Sequence, residues 1–202
     1  SVVSGFQSIK SGDTKIIIAG GQESMSLAPH AINLRDGKKL GDANMIDTMI
    51  KDGLWDAFNG YHMGITAENV ATKFQITRKE QDKFAFNSQE KALRAQNENK
   101  FNDEIINFKI KLNNSEVDFK KDEHPREGIS LEALTRLKPI FQKNGTVTAG
   151  NASGINDGAA AVALMSDAEA KKRNLQKLVA IKSWASCGVD PKLMGTGPIP
   201  ST

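Results

Sequence analysis

The chain has 202 residues, of which 39% are hydrophobic and 25% charged, enough to bury a sizeable core in one or two domains. Its formal net charge is only +3, and its Lys and Arg are interspersed with Asp and Glu, which excludes the one-sided basic footprint of a nucleic-acid binder. No apolar run approaches the roughly 18 residues of a membrane span, and one cysteine cannot build an intrachain disulfide framework.

The single thiol fits a reducing compartment, the cytoplasm by default or the mitochondrial matrix in a eukaryote. Val2, Val3, Phe6 and Ile9 recur at helical spacing, so the chain opens inside an amphipathic helix. No N-cap and no initiator Met precede it, and the true N-terminus is expected upstream of Ser1. Ser11-Gly-Asp-Thr14 ends this helix, and Lys15-Ile-Ile-Ile-Ala19 reads as a short buried strand running into Gly20 and Gly21. Helix, apolar strand and glycine pair in that order are the grammar of an α/β domain.

Residues 25–145 are richer in Lys, Asn, Asp and Glu. The spacing predicts a helix over 66–74 with Ala67, Val70, Ala71 and Phe74 on its apolar side. Thr77-Arg-Lys-Glu80 is a capping box, and the helix behind it is expected to run to about Gln96, burying Phe84, Ala85, Ala92 and Leu93. Ile105, Ile106, Phe108, Ile110 and Leu112 suggest one or two short strands, and Ser130 caps a short helix ending before Pro139. A loop of small residues follows at 147–158, where backbone groups can approach a ligand closely. Residues 159–165 read as a buried strand, Ser166-Asp-Ala-Glu169 as a second capping box opening a helix toward Asn174, and 178–184 as another strand. The expected organisation is an α/β domain over 1–24 and 156–176, an inserted, mainly helical block over 25–155, and a second domain starting at 177.

Few residues look chemically armed. Cys187 follows Trp-Ala-Ser at the end of the last predicted strand, without the helix N-terminus or imidazole that activates a thiolate, and reads as a packing residue. His124 lies in the charged run 120–126 and reads as an exposed loop histidine. His30 has no charged neighbour in sequence. Asp157 and Glu23 read as loop-bracing carboxylates rather than an acid/base pair. The three histidines lack metal-ligand spacing, and no metal is expected.

Four segments carry a more specific signal: Gly20-Gly-Gln-Glu-Ser-Met-Ser-Leu-Ala-Pro-His30, Gly60-Tyr-His-Met-Gly-Ile-Thr-Ala-Glu-Asn69, Val147-Thr-Ala-Gly-Asn-Ala-Ser-Gly-Ile-Asn-Asp-Gly158 and Met194-Gly-Thr-Gly-Pro-Ile-Pro200. In order and approximate spacing they resemble the thiolase family, and within it the acetyl-CoA acetyltransferase (acetoacetyl-CoA thiolase) type. The resemblance covers essentially the whole chain. It implies part of an αβαβα domain interrupted by an inserted loop domain, in a homo-oligomer, dimeric or tetrameric.

The resemblance also implies a reaction: two acetyl-CoA condensed to acetoacetyl-CoA and CoA, or the thiolytic reverse, through a cysteine acyl-enzyme of fatty acid metabolism. The family's nucleophilic cysteine would lie upstream of Ser1, and its histidine and second cysteine after Thr202, so this segment is expected to hold no catalytic residue. Coenzyme A enters as substrate, with no cofactor bound permanently. By resemblance His62 lies beside the pantetheine arm, Met63 lines the acyl pocket and Leu54 forms its wall. Ser153 bonds the pantetheine amide, Ala149 offers a backbone contact, and Arg126 and Phe141 sit near the adenine and its phosphates. Plainer readings stand beside these: a helix-entry histidine for His62, a core methionine for Met63 and a turn hydroxyl for Ser153. A longer-chain 3-ketoacyl-CoA thiolase and a non-catalytic, thiolase-derived acyl-CoA-binding protein remain as alternatives.

Overall fold

The computed structural model describes residues 1–113 and 115–202. In chain order the elements are α1 (Val2–Ser11), β1 (Ile16–Ser24), β2 (His30–Ala31), β3 (Ile46–Asp47), β4 (Trp55–Asp56), β5 (Tyr61–His62), α2 (Met63–Lys73), α3 (Arg78–Asn97), β6 (Phe108–Leu112), β7 (Ser115–Phe119), α4 (Leu131–Thr135), β8 (Asp157–Met165), α5 (Asp167–Lys172) and α6 (Pro198–Ser201). They group into two compact units, one of residues 1–63 with 155–202 and the other of residues 64–154.

The first unit is built on an antiparallel ladder between β1 and β8, in register from Ile16 opposite Met165 to Ser24 opposite Asp157. The two apolar strands read from the sequence therefore lie side by side across more than a hundred intervening residues. Helix α1 ends where Gly12 takes the left-handed conformation, φ 86°, that lets its N–H close on the Ile9 carbonyl. It packs on the ladder through Gly5, where a Cβ would stand 3.0 Å from both the Ile17 and Leu164 side chains. At the far end of the ladder Asp157 accepts from the Ser26 backbone N–H at 2.9 Å and from the Ser26 hydroxyl. Further on, the Pro29 carbonyl accepts from the Thr48 hydroxyl at 2.6 Å, beside the short β2–β3 pairing. The first pair ties Ser26 to the sheet, and the second closes the 29–48 excursion on itself.

Burial in this unit departs from the sequence reading. Only Ala19 of the two long strands is buried, while Ile18 is 70% exposed. A two-stranded ladder with one helix on it has an open face and open edges, so apolar composition alone does not bury it. The strand expected over 178–184 does not form: these residues pair with no described strand, and Leu178 is 92% exposed. A strand exists only against a partner, and no described strand lies alongside. Ser166 caps α5 by accepting from the Glu169 N–H at 3.1 Å, but Glu169 turns to Arg173 at 2.6 Å instead of reaching back. The second capping box is thus one-sided.

The second unit contains α2, α3, the β6–β7 hairpin and α4. Thr77 and Glu80 form the full reciprocal box at the start of α3. The inward face of α3 runs through Asp82, Ala85, Phe86 and Gln89, with Asp82 wholly buried. Phe84, expected in the core, is exposed, because two steps of about 100° turn it to the far side of the helix from Asp82. Phe74, expected on the apolar side of α2, is also exposed. In the hairpin, Phe108 pairs with Phe119, their rings 5.4 Å apart and inclined at 48°. Ile105 and Ile106 fall outside the strands. Ser130 caps α4 by accepting from the Ala133 N–H.

The β1–β8 ladder tolerates little added volume at Gly20, where a Cβ would stand 2.5 Å from the Ala160 carbonyl oxygen and 3.2 Å from the Ala161 Cα. Both obstacles are backbone and cannot swing away. Gly20→Ala is expected to destabilise the protein by about 1–3 kcal/mol, measured as a lower midpoint in urea with an unchanged slope. An unchanged midpoint would show that the strands separate freely at this point.

Candidate substrate-binding site

Three of the residues singled out from the sequence meet in the first unit. Residues Met49–Leu54 form one π-helical turn, started by Asp47, whose carboxylate accepts from the Met49 N–H at 2.9 Å. Such turns widen the helix by one residue and often re-aim side chains at functional sites. The chain then enters the β4–β5 hairpin, in which Trp55 stands opposite His62 and Asp56 opposite Tyr61. Leu54 and Met63 flank the Trp55–His62 pair, and all four side chains are half-buried.

Asp56 shapes this hairpin. Its side chain, 5% exposed, accepts from the Phe58 N–H at 2.9 Å, the Asn59 N–H at 3.2 Å and the Asn59 side-chain amide at 2.7 Å. The Asn59 side chain, with those two backbone donors, holds the Asp56 carboxyl below the usual carboxylate range. Gly60 completes the turn at φ 74°, donating to the Asp56 carbonyl at 2.8 Å.

The remaining four site residues lie in the second unit, where two buried carboxylates hold the small-residue loop. Glu68, on the inward face of α2, accepts from the Thr146 N–H at 2.8 and 2.9 Å, the Thr146 hydroxyl at 2.8 Å and the Val147 N–H at 2.8 Å. Asp82, on α3, accepts from Arg78 at 2.7 Å and from the Asn151 side-chain amide at 3.0 Å. Asn151 also donates to the Thr146 carbonyl and accepts from the Thr148 N–H at 2.8 Å. Arg78 extends the set to the carbonyls of Leu134 and Leu137, at 2.7 and 3.1 Å. Two glycines make room: a Cβ at Gly145 would stand 2.3 Å from Glu68 Oε1, and one at Gly150 would stand 2.5 Å from Leu134 and Leu137 side-chain atoms.

This clamp leaves the far side of the loop outward. Ala149 and Ser153 are exposed, and neither the Ala149 carbonyl nor the Ser153 hydroxyl makes a hydrogen bond among the described residues. Phe141 is half-buried against the first turn of α2, so close that a Cβ at Gly64 would lie 2.3 Å from its ring. Arg126 is fixed through its backbone, whose N–H donates to Gln89 Oε1 at 3.0 Å, and it is exposed with no carboxylate partner among the described residues. Taken one by one, Ser153 offers an exposed hydroxyl, Arg126 an exposed cation and Phe141 a half-buried ring, groups that can bond an amide, a phosphate and a base.

The residues read as plain stay plain. His124 is exposed, its backbone N–H closing a turn on Asp122. Cys187 is exposed on an unpaired segment, and its thiol donates to the Pro200 carbonyl at 3.2 Å. Glu23 accepts from the N–H of its neighbour Ser24, and Asp157 is bound to Ser26, whose hydroxyl holds its carboxyl below the usual range. Both carboxylates brace the strand ends. The sequence reading missed Glu68, Asp82 and Asn151. The legible signal was Glu68, a carboxylate three residues before the buried Ala71 and so on the inward face of α2.

The chain matches the family model described as "Thiolase, N-terminal domain" over residues 1–168. It is 59% identical over 202 residues to an acetyl-CoA acetyltransferase of Rhizobium meliloti (strain 1021), covering 100% of this chain and 51% of that relative. The crystal structure of the Bacillus anthracis acetyl-CoA acetyltransferase superposes with a TM-score of 0.94 at 43% identity, over 100% of this chain and 51% of that one. A human mitochondrial 3-ketoacyl-CoA thiolase in complex with CoA superposes with a TM-score of 0.90 at 41% identity, over 99% of this chain and 50% of that one. The chain thus spans about half the length of the curated relatives it matches.

The depressed Asp56 carboxyl gives the hairpin a pH dependence of known sign. A folded-state value below the unfolded one contributes stability above the unfolded value and loses it as pH falls through the folded value. Amide protection at Phe58 and Asn59 is therefore expected to be lost as pH falls through and below the ordinary carboxylate range, and to be absent at every pH in Asp56→Ala. Hydrogen exchange followed by NMR measures it. Protection that ignores pH in the native protein would remove the carboxylate from the hairpin's support.

Proposed function

The chain belongs to the thiolase family, and from that premise we propose that the whole protein is an acetyl-CoA C-acetyltransferase. It condenses two acetyl-CoA to acetoacetyl-CoA and CoA, or runs the thiolytic reverse, and residues 1–202 supply CoA binding and the wall of the acyl pocket. The observation that carries this reading is the clamped loop at 146–153, whose residues Ala149 and Ser153 are exposed. A pantetheine arm carries two amides, whose N–H and C=O groups suit such an acceptor and donor. Arg126 and Phe141, in the same unit, suit a nucleotide phosphate and an adenine ring.

In the chemical step, the acetyl group passes from acetyl-CoA to a cysteine thiolate, and CoA leaves as thiolate and takes up the proton the cysteine had given to its base. A base then removes an α-proton from a second acetyl-CoA. The carbanion attacks the acyl-enzyme carbonyl, releasing acetoacetyl-CoA and restoring the cysteine. Both cysteines and the histidine of this scheme are assigned outside residues 1–202. Cys187, whose thiol faces a carbonyl, is not the nucleophile. The whole protein is assigned as a homo-oligomer, dimeric or tetrameric, with residues 25–155 as the loop domain. Among the described residues no helix is long and apolar enough to cross a membrane, and the reducing cytoplasm is the assigned setting.

The second reading, a longer-chain 3-ketoacyl-CoA thiolase, draws support from the human mitochondrial neighbours of that name. Met63 beside His62 favours the short-chain enzyme, since a long thioether can close the depth of an acyl pocket.

Kinetics of the whole protein decide between these. Ser153→Ala is expected to raise KM for CoA by the equivalent of about 0.5–1.5 kcal/mol, one neutral hydrogen bond. Met63→Ala is expected to shift kcat/KM toward longer or branched 3-ketoacyl-CoA, by up to ~1–3 kcal/mol relative to acetoacetyl-CoA. A folded Met63→Ala enzyme with an unchanged chain-length profile would return Met63 to the core and remove the argument for the short-chain substrate. The 202-residue chain alone is expected to show no thiolysis of acetoacetyl-CoA. Activity that survives Cys187→Ser would overturn the catalytic assignment.

A further inference from the structure

A carboxylate buried to 3% exposure needs a reason, because its desolvation is costly unless strong donors replace water. Glu68 finds all its donors on one short stretch of chain: two backbone N–H groups and one hydroxyl, from Thr146 and Val147. A hydrophobic residue at this place on α2 could fill the space, but it could not fix the direction of those peptide groups. Asp82 and Asn151 hold the other end of the same stretch. Asn151 lies four residues beyond Val147, with the exposed Ala149 and Ser153 two residues to either side of it.

Resting on the CoA-binding reading above, we propose that Glu68 is a positioning residue for the pantetheine arm. Its carboxylate sets the orientation of the 146–153 loop, and with it the Ala149 carbonyl and Ser153 hydroxyl. Glu68 itself touches no substrate. It accepts from three donors, two backbone N–H groups and one hydroxyl, and is buried. The Gly145 site supports this, since any side chain there would strike Glu68 Oε1 at 2.3 Å. The chain at that point has no volume to spare between carboxylate and loop. Thr146 is the second lever: its hydroxyl donates to Glu68 at 2.8 Å and accepts from Gln81 at 2.9 Å, so removing it loosens the clamp without removing the charge.

The test is thiolysis of acetoacetyl-CoA by the whole protein with CoA varied, for Glu68→Gln, Thr146→Val, Ser153→Ala and the Glu68→Gln/Ser153→Ala pair. Glu68→Gln is expected to raise KM for CoA about three- to tenfold, the range a misdirected hydrogen-bonding loop costs, with kcat within about twofold. Thr146→Val is expected to act in the same direction by less. The double variant should exceed the larger single effect only slightly, because both changes act through one contact. A purely structural role predicts otherwise: lower thermal stability with unchanged KM, or effects of Glu68→Gln and Ser153→Ala that multiply. Either result overturns the proposal. If Glu68→Gln does not fold, Thr146→Val with an unchanged KM overturns it and a raised KM supports it. Ser153→Ala with an unchanged KM overturns the site reading, and the proposal with it. A raised KM in Ser153→Ala beside unchanged Glu68→Gln and Thr146→Val overturns the proposal alone.

Discussion

The second unit depends on a pair of buried carboxylates, Glu68 and Asp82, each on a different helix and each gripping one end of the same loop. Their burial is nearly complete, at 3% and 0% exposure, and every oxygen meets a donor at hydrogen-bonding distance. In a low-dielectric interior such bonds are strong and directional, and leaving any donor unpaired is expensive. The loop therefore cannot relax toward the helices by turning its peptides over. The apolar Leu134 and Leu137 side chains beside Gly150 fill space but leave orientation open. The acidic pair supplies the orientation, and Arg78 spreads it to the carbonyls at the end of α4.

Small residues do the complementary work. Gly145, Gly150 and Gly64 each occupy a point where a Cβ would collide with Glu68, with Leu134 and Leu137, or with Phe141. Close approach of chain to chain, more than backbone freedom, explains these three glycines, none of which has a positive φ. In the first unit Gly5 and Gly20 serve the same end between α1 and the sheet and between the two strands.

The first unit solves a different problem with similar chemistry. A two-residue pairing such as β4–β5 is weak by itself, so its turn is held by Asp56 through three hydrogen bonds. The π-helical turn before it begins on Asp47 in the same manner. Short carboxylate side chains bonding a backbone N–H two or three residues on recur at these points, and at Asp190 and Asp122. Leu54, His62 and Met63 are thus placed by acidic turn residues, while the apolar strands β1 and β8 carry the long ladder.

The sequence by itself determined the local elements whose causes are local. The reciprocal Thr77–Glu80 box, the Ser130 cap, the Gly12 helix end and the strand segments at 16–19 and 159–165 follow from residues within a turn of one another. The Gly-rich loop and its neighbours also carried the family likeness, because motifs of small residues are legible letter by letter. Tertiary structure decided what depends on distant partners. Phe84 and Ile18 look like core but are exposed, since burial is set by what packs opposite. Residues 178–184 look like a strand but lack a ladder. Glu68 looks like one more surface charge of a polar helix, yet it is buried because its partners, Thr146 and Val147, arrive from 78 and 79 residues away. No short window of sequence contains both a carboxylate and the donors that justify burying it.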